Sequence, residues 1–369
     1  MDIVFLSIDR AVNFMTAPQI LFPISVLLLV ATLKFAHVWT QPRIALALAG
    51  VLVLLGLYSW FDWPGVSHAS FRESLRKPDN VPIVLILGSL AFFYWLSLRK
   101  AVVNDRRIAQ SLPPLEADEK SRKVLVWPDL VYTELIAMVV CTVLLIVWSL
   151  LLKAPIEEPA NTARTPNPSK APWYFLGLQE LLVYFDPWLA GVLIPGLIIV
   201  GLIIIPYVDR NPKGNGYYTL AERKGAIFVF LFGFFVMWVL GVFIGTFLRG
   251  PGWNFFGLYE NWSVTKVEPL QNINVSEIVW SKLLGQEVPR HWLPREIWGI
   301  LLVIGYFTIV PAVFARTVGR RLFRELGAVR FGIVANLGLI MLAVPLKMVA
   351  RWLFNLKYVV YLPEILTNI

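Results

Sequence analysis

Apolar residues occur in long runs along this chain of 369 residues, and polar residues collect between the runs. About 20 consecutive apolar residues suffice to cross the hydrocarbon core of a bilayer. Runs close to this length occupy 18–38, 42–60, 81–98, 130–152, 189–206, 225–247, 298–315 and 331–350. The run 225–247 lacks the alternation of apolar and polar positions that membrane β-strands show. The pattern therefore predicts an all-α integral membrane protein with about eight transmembrane helices.

The composition agrees with a membrane protein and argues against nucleic-acid binding. Hydrophobic residues make up 57% of the chain and charged residues only 15%, whereas about 25% charge is usual in soluble domains. The net charge is +9, an excess that membrane chains use for topology and for contact with anionic lipid. No basic stripe is interleaved with stacking aromatic residues, so we expect a lipid membrane and no nucleic acid among the partners.

The positions of lysine and arginine predict the orientation. They concentrate in the connections 99–123, 207–224 and 316–330, which eight spans would place on one side of the membrane. Positive residues favour the cytoplasmic side. We therefore expect a protein of the cytoplasmic membrane with both termini outside, together with the loops 61–80, 153–188 and 248–297.

Changes in polarity divide the chain into four predicted segments. The stretch 111–129 is polar, charged and contains prolines, as is typical of a cytoplasmic linker. It separates an N-terminal three-helix extension, 1–110, from a three-helix domain, 130–248. A second boundary falls where turn residues and interfacial aromatic residues begin, so 249–369 is predicted to hold an outer loop and two C-terminal transmembrane helices.

Histidine and cysteine usage excludes several kinds of redox and metal site. A dihaem cytochrome needs four axial ligands, but the chain has only His37, His68 and His291, on separate segments. We interpret them as polar interfacial residues and expect no haem bound by this chain alone. The sequence also shows no metal-ligand cluster, no Walker-type motif and a single cysteine, Cys141, in an apolar run.

The loop between the fourth and fifth predicted spans carries the most informative chemistry. Five prolines between Pro155 and Pro172 make its first part stiff and non-helical. Helical spacing of apolar and aromatic residues then begins at Trp173 and continues to Tyr184. This segment is too short to span, so we expect a short interfacial helix. It could wall a pocket for a lipid-soluble ring molecule or simply anchor the loop at the membrane surface.

Several motifs follow one another in a specific order. WPDLVYTELIAMVV occupies 127–140, EEPAN 157–161 and APWY 171–174, and IPGLIIVGLIIIPYVDRNP covers 194–212. Together, from Trp127 to about Arg249, they resemble the C-terminal half of cytochrome b, which is a separate subunit, subunit IV, in cytochrome b6f-type complexes. RGPGWNFFGLYENW at 249–262 is similar to extensions of some bacterial versions, and the first three helices have no counterpart in the usual family pattern.

The resemblance implies a function shared with other chains. Such a subunit packs beside a dihaem cytochrome b (b6-like) subunit and forms part of the outer quinol-oxidation site. Quinol, either menaquinol or ubiquinol, gives one electron to a Rieske iron–sulfur protein and the other to a haem b, and a c-type cytochrome accepts electrons downstream. The chain would then belong to a multi-subunit complex, which could be dimeric, and would not be catalytic alone.

The chain departs from the family pattern at one position with chemical importance. APWY aligns with a Pro-Glu-Trp-Tyr signature, so Pro172 stands where the family has a glutamate thought to accept a quinol proton. Pro172 has no titratable group. Glu180, seven residues after Trp173 and on nearly the same helical face, is the nearest substitute, either as a proton acceptor or as a structural carboxylate. Trp173 and Tyr174 are predicted, with Pro172, to contact the quinol.

These observations predict a membrane subunit of a bc-type quinol:cytochrome c oxidoreductase. Two alternatives remain open. A non-catalytic anchor or assembly subunit of a respiratory complex is favoured by the missing glutamate. A transporter would place charged or broken-helix sites near the middle of the membrane, and the spans show few charges, although Pro195 interrupts one of them.

Overall fold

The computed structural model describes residues 2–64, 66–118, 124–152, 159–213, 216–267, 271–363 and 367–369. Its α-helices are α1 (Asp2–Met15), α2 (Pro18–Lys34), α3 (Ala36–Trp39), α4 (Pro42–Trp60), α5 (Ala69–Arg76), α6 (Val81–Ala109), α7 (Leu115–Asp118), α8 (Val131–Leu151), α9 (Leu176–Leu181), α10 (Ile194–Val208), α11 (Lys224–Leu231), α12 (Leu240–Phe243), α13 (Val275–Glu277), α14 (Trp292–Arg316) and α15 (Arg320–Phe354).

Shorter elements extend or connect these helices. The π-helical stretches are Val126–Leu130, Leu189–Leu193, Phe232–Val239, Ile244–Leu248 and Ile278–Leu283, and the 3₁₀ turns are Trp173–Phe175 and Pro251–Trp253. The strands are β1 (Ile273–Asn274), β2 (Leu356–Tyr358), β3 (Tyr361–Leu362) and β4 (Thr367–Asn368). β1 pairs with β2 in parallel, and β3 pairs with β4 in antiparallel orientation.

The all-α membrane fold predicted from the sequence is confirmed. Seven helical stretches are long and apolar enough to span a membrane: Pro42–Trp60, Val81–Ala109, Val126–Leu151, Leu189–Val208, Lys224–Leu248, Trp292–Arg316 and Arg320–Phe354. The first predicted span, 18–38, corresponds to α2, which is bent by 79° from α1. The described residues thus hold seven spans, or eight if the bent pair counts as one, and the exact number of eight stays a prediction.

Proline and glycine explain where several helices start or break. Pro18, Pro42 and Pro82 each lie in the first two positions of a helix, where the missing backbone N–H costs nothing. Gly327 interrupts α15 with a φ of 76°, a conformation that side chains with a Cβ rarely adopt. The apolar run predicted at 331–350 begins just after this break.

The chain forms two compact units. Unit 1 comprises Met1–Ser169, Lys213–Phe234 and Thr246–Val264, and unit 2 comprises Lys170–Pro212, Phe235–Gly245 and Thr265–Ile369. Each unit is therefore assembled from separate stretches, whereas the segments predicted from polarity are continuous. The predicted boundaries at 110, 129 and 248 stay predictions, and residues 119–123 of the predicted linker lie outside the described part of the chain.

One end of unit 1 is held by a buried histidine. His68 is only 1% exposed, and its Nε2 atom lies 3.2 Å from Oδ1 of Asp9 on α1. The Tyr58 hydroxyl donates to the same carboxylate oxygen at 3.0 Å, and the Tyr259 ring lies 4.2 Å from the imidazole, centroid to centroid. His68 is thus enclosed by protein, because α1 supplies an acceptor that makes its burial possible, and its position at the membrane interface stays a prediction.

Residues flanking His68 extend this network into the loop after α4. Asp62 accepts two hydrogen bonds from the Arg72 guanidinium and one from the His68 backbone N–H. The hydrogen bonds with Arg72 hold the pKa of the Asp62 carboxyl well below its usual range. Ser59 and Tyr259 share a hydroxyl–hydroxyl hydrogen bond of 2.5 Å. Burial raises the pKa of Tyr259, so it remains a protonated donor.

A buried asparagine holds two connecting segments at the C-terminal end of α6 in unit 1. Asn104 is fully buried, and its amide donates to Oε2 of Glu116 at 2.7 Å and to the Tyr218 carbonyl at 2.9 Å. Its Oδ1 accepts from the Leu115 backbone N–H at 2.9 Å. One side chain thus fastens two connecting segments to the end of α6.

Unit 2 contains a helical hairpin closed by short strands. Gly299 of α14 lies so close to the Val359 carbonyl that a Cβ would overlap with it. Near this contact Glu296 is only 1% exposed; it accepts from the Tyr361 backbone N–H and pairs with Arg295, each at 3.0 Å. A buried carboxylate is tolerated here because both of its oxygens are hydrogen-bonded.

Replacing Asn104 by alanine should destabilise the protein by about 1–3 kcal/mol, since it leaves buried polar groups without partners. The measurement is thermal unfolding in detergent, with trypsin cleavage of the segment after α6 as a second readout. Gln110→Ala, at the exposed end of the same helix, is the matched control and should change little. Equal losses in the two variants would contradict this role of Asn104.

Candidate functional site

The predicted interfacial helix begins where the proline-rich loop ends. Pro172 adopts an extended backbone, with φ of −51° and ψ of 147°, and its carbonyl accepts from the Phe175 N–H at 2.8 Å. A 3₁₀ turn, Trp173–Phe175, leads from there into α9. The Gln179 side chain then accepts from the Ala171 N–H at 2.8 Å. The helix thereby fixes the last residues of the loop to its own surface.

Close backbone contact joins α9 to α12 in unit 2. A Cβ on Gly241 would lie 3.1 Å from the Cα of Gly177, and a Cβ on Gly177 would lie 3.1 Å from the Trp238 carbonyl oxygen. The Trp238 indole N–H also donates to the Tyr174 carbonyl at 3.3 Å. Small residues permit helix backbones to approach this closely in membrane proteins. Larger side chains at either glycine would separate the two helices.

Glu180, three residues after Gly177 in α9, is buried. The residue is only 3% exposed, and Leu176, Gly177 and Tyr184 on the same face of the segment are also buried. The candidate carboxylate is therefore almost completely enclosed by protein. Membrane-embedded carboxylates are often functional, as proton relays for example, and Glu180 stays a candidate for that role.

The predicted quinol-contacting residues are more exposed than Glu180. Tyr174 is 46% and Phe175 is 49% exposed, Pro172 is exposed, and Trp173 is half-buried. The Trp173 and Tyr174 rings lie 5.5 Å apart in an edge-on arrangement, and those of Tyr174 and Phe175 lie 4.6 Å apart. Trp173 and Tyr174 therefore lie side by side at a largely exposed surface, whereas Glu180 is buried.

A second acidic centre follows α9. Asp186 accepts from the Tyr358 hydroxyl and from the Asn368 amide, both at 2.7 Å. Burial and the hydrogen bond with Asp186 raise the pKa of Tyr358 to about 12. Burial and the nearby Arg351 lower the pKa of Lys357, against an attraction to Asp186. The sequence gives no signal for this cluster, because residues that are far apart in the chain form it.

Another basic side chain of this cluster is buried. Lys347 is 6% exposed, its ammonium lies 5.5 Å from the centre of the Phe185 ring, and it has no hydrogen-bond partner among the described residues. Helical periodicity relates only residues close in sequence, so it gives no signal for such contacts.

Glu157 and Glu158 of the EEPAN motif lie outside the described residues.

The fold defines a multi-pass α-helical membrane protein. Residues 159–247, which include α9, α10 and nearly all of the span Lys224–Leu248, match the family model described as cytochrome b(C-terminal)/b6/petD. The predicted resemblance to the C-terminal half of cytochrome b is therefore confirmed for these 89 of the 369 residues. The family indicates a membrane subunit of a cytochrome bc-type complex. No solved structure matches the chain.

The match is narrower than the predicted resemblance. It begins at residue 159, whereas the similarity was predicted from Trp127. The similarity of 127–158, and the interpretation of 249–262 as a bacterial extension, stay predictions. The interfacial position of α9 also stays a prediction.

Enlarging Gly241 should separate α9 from α12. Gly241→Val adds side-chain atoms where even a Cβ is crowded by Gly177, so we expect about 1–3 kcal/mol of destabilisation from overpacking. Thermal unfolding of the purified protein measures the loss. Gly201→Val is the matched control, because a Cβ at this position of α10 meets nothing within 4 Å; the interpretation fails if both variants melt alike.

Proposed function

We propose that this chain is a membrane subunit of a bc-type quinol:cytochrome c oxidoreductase and forms part of its outer quinol-oxidation site. The observation that carries the proposal is the family match over 159–247, which contains Pro172, Trp173, Tyr174 and Glu180. The partners that this function requires are a dihaem cytochrome b subunit, a Rieske iron–sulfur protein and a c-type cytochrome.

The surface around Tyr174 fits an apolar ring molecule. The exposed Tyr174 and Phe175 rings, with the half-buried Trp173 beside them, form a rigid aromatic wall. Aromatic walls of this kind are common in sites for ring ligands, where a few polar groups fix the orientation. This chain would supply one wall for menaquinol or ubiquinol, and a partner subunit would close the site.

An unusually exposed helix supports the requirement for a partner. In the apolar window of Val126–Leu151, no described residue is buried within the chain. Leu144, Leu145 and Leu150 are 62–73% exposed. A helix that is apolar all round and has none of its described window buried needs lipid or another subunit around it. We assign this surface to the haem-bearing cytochrome b.

The chemistry of quinol oxidation defines what the residues of this chain would do. Quinol releases two electrons and two protons; the electrons pass to redox centres of the partner subunits, and the protons leave on the outer side. Trp173 and Tyr174 would hold the ring. The Glu180 carboxylate would take one proton and release it outwards, a role that Pro172 cannot perform because it has no titratable group.

A non-catalytic anchor or assembly subunit is the second candidate. Two observations favour it: Pro172 replaces the signature glutamate, and Glu180 lies on the buried face of α9 rather than beside Tyr174. The two candidates differ in one measurable property, since only the first requires a carboxylate in this segment for turnover.

Glu180→Gln should lower quinol oxidation by the intact complex by about 10²-fold, the low end of what acid–base catalysis contributes. Steady-state quinol:cytochrome c reduction from pH 5.5 to 9 measures this, and Glu180→Asp should keep part of the rate. The haem content of each preparation controls for assembly. An unchanged rate across the whole pH range would leave the anchor function as the better proposal.

A rescue experiment sharpens this test. Introducing Pro172→Glu into the Glu180→Gln variant restores a carboxylate at the family's signature position, so we expect turnover to recover at least ten-fold. Gln179→Glu in the same background is the matched control, because it adds an acid one position away from the lost one. If turnover recovered with Gln179→Glu but not with Pro172→Glu, position 172 would not be the site of the proton acceptor.

Affinity purification tests the partners. The tagged chain, extracted in mild detergent, should bring down a protein with the reduced-minus-oxidised spectrum of haem b and a Rieske protein. Replacing Leu144 and Leu145 of α8 by arginine should reduce the yield of haem at least five-fold. The same two-residue change at the exposed Leu301 and Leu302 of α14 is the control; parallel losses would remove α8 as the contact surface.

A further inference from the structure

A cavity of about 650 Å³ opens in unit 1, where α2 and α6 end and α11 begins. Its volume lies within the range of about 300–1,000 Å³ that is usual for small-molecule sites. The cavity is distant in sequence from the α9 segment, and the proposed function does not use it. Three helices contribute to its lining in the same way.

Each of these helices presents an apolar residue and, one turn nearer its end, a basic residue. The pairs are Val30 with Lys34 on α2, Val102 with Arg106 on α6, and Phe228 with Lys224 on α11, and all six residues line the cavity. Residues four apart lie on the same face of a helix. The cavity therefore has an apolar wall that continues into a basic rim at the helix ends.

The rim carries unbalanced positive charge. Lys34, Arg106 and Lys224 are exposed, and none of them forms an ion pair or side-chain hydrogen bond with another described residue. Asp105 also lines the cavity and offsets one of the three positive charges, which leaves two, and its carboxylate oxygens are already hydrogen-bonded to neutral groups. It accepts from the Thr219 hydroxyl at 2.6 Å and from the N–H groups of Leu220 and Ala221 at 3.2 and 2.9 Å.

We propose that this cavity binds one anionic phospholipid. The phosphate would contact the three basic side chains of the rim, and an acyl chain would lie along Val30, Val102 and Phe228. Basic pockets between membrane helices bind acidic lipid headgroups in this manner. A soluble anion would leave the apolar wall without a partner, and a neutral quinone would leave the three cations without one.

Binding of phosphatidylglycerol to the purified complex tests the proposal. Native mass spectrometry after titration with phosphatidylglycerol or phosphatidylcholine gives the number of retained lipids and their apparent Kd. A basic residue near the membrane contributes about five-fold in affinity, so Lys34→Gln, Arg106→Gln and Lys224→Gln together should weaken phosphatidylglycerol binding about 10²-fold. Phosphatidylcholine binding should be weak and unaffected.

A matched variant separates this site from the general surface charge. Arg43→Gln, Arg316→Gln and Arg320→Gln remove three exposed charges at helix ends outside the cavity, and should change the affinity less than about two-fold, because no site is lost. If both triple variants lose affinity equally, the lipid binds by surface potential alone and the proposal is overturned. The proposal would also be overturned if the variant without Lys34, Arg106 and Lys224 bound no lipid but retained a neutral quinone at the wild-type level.

A second variant tests the apolar wall without changing any charge. Val30 is 43% exposed, so Val30→Trp should fill the mouth of the cavity without disturbing a packed core. We expect it to reduce phosphatidylglycerol binding at least ten-fold while the thermal midpoint of the lipid-free protein stays constant. Unchanged binding would mean that the acyl chain lies elsewhere, which contradicts the proposed site.

Discussion

The backbone contact between α9 and α12 is the interaction on which the candidate site depends. A Cβ on Gly241 would lie 3.1 Å from the Cα of Gly177, so only small residues let the two helices approach this closely. Gly177 and Glu180 are buried, whereas Tyr174 and Phe175, in the turn that precedes α9, are 46% and 49% exposed. The close approach therefore positions a segment that combines a buried carboxylate with rings available to a ligand or a partner.

Polar groups at the helix ends form the second constraint on the structure. Lipid offers no hydrogen bonds, so side chains that lie near or within the membrane must find partners in the protein. Asn104, His68, Asp186 and Glu296 each do so through residues from other segments. These contacts tie short connecting segments to long helices, and they give the loops defined positions.

Hydropathy predicts the positions of the long helices well, but it does not predict which residues contact one another. Spans such as Pro42–Trp60 coincide with the predicted apolar runs, because lipid imposes a fixed length and polarity on each one. The burial of His68 beside Asp9 and the contact of Gly177 with Gly241 depend on residues far apart in sequence, for which periodicity carries no signal. The helical spacing after Trp173 did predict α9, but it could not show that Glu180 would be buried and Tyr174 exposed.

The isolation of α8 has a consequence for its geometry in the bilayer. Its 21 residues rise by about 31 Å, close to the hydrocarbon thickness of about 30 Å. Without interhelical packing, only interfacial anchors and bilayer thickness set the tilt of a helix. Trp127 and Tyr132, stacked 6.1 Å apart near the beginning of α8, and Trp148 near its end are such anchors. In the chain without its proposed partner, a thinner bilayer would therefore increase the tilt of α8, and binding of the partner would fix this angle.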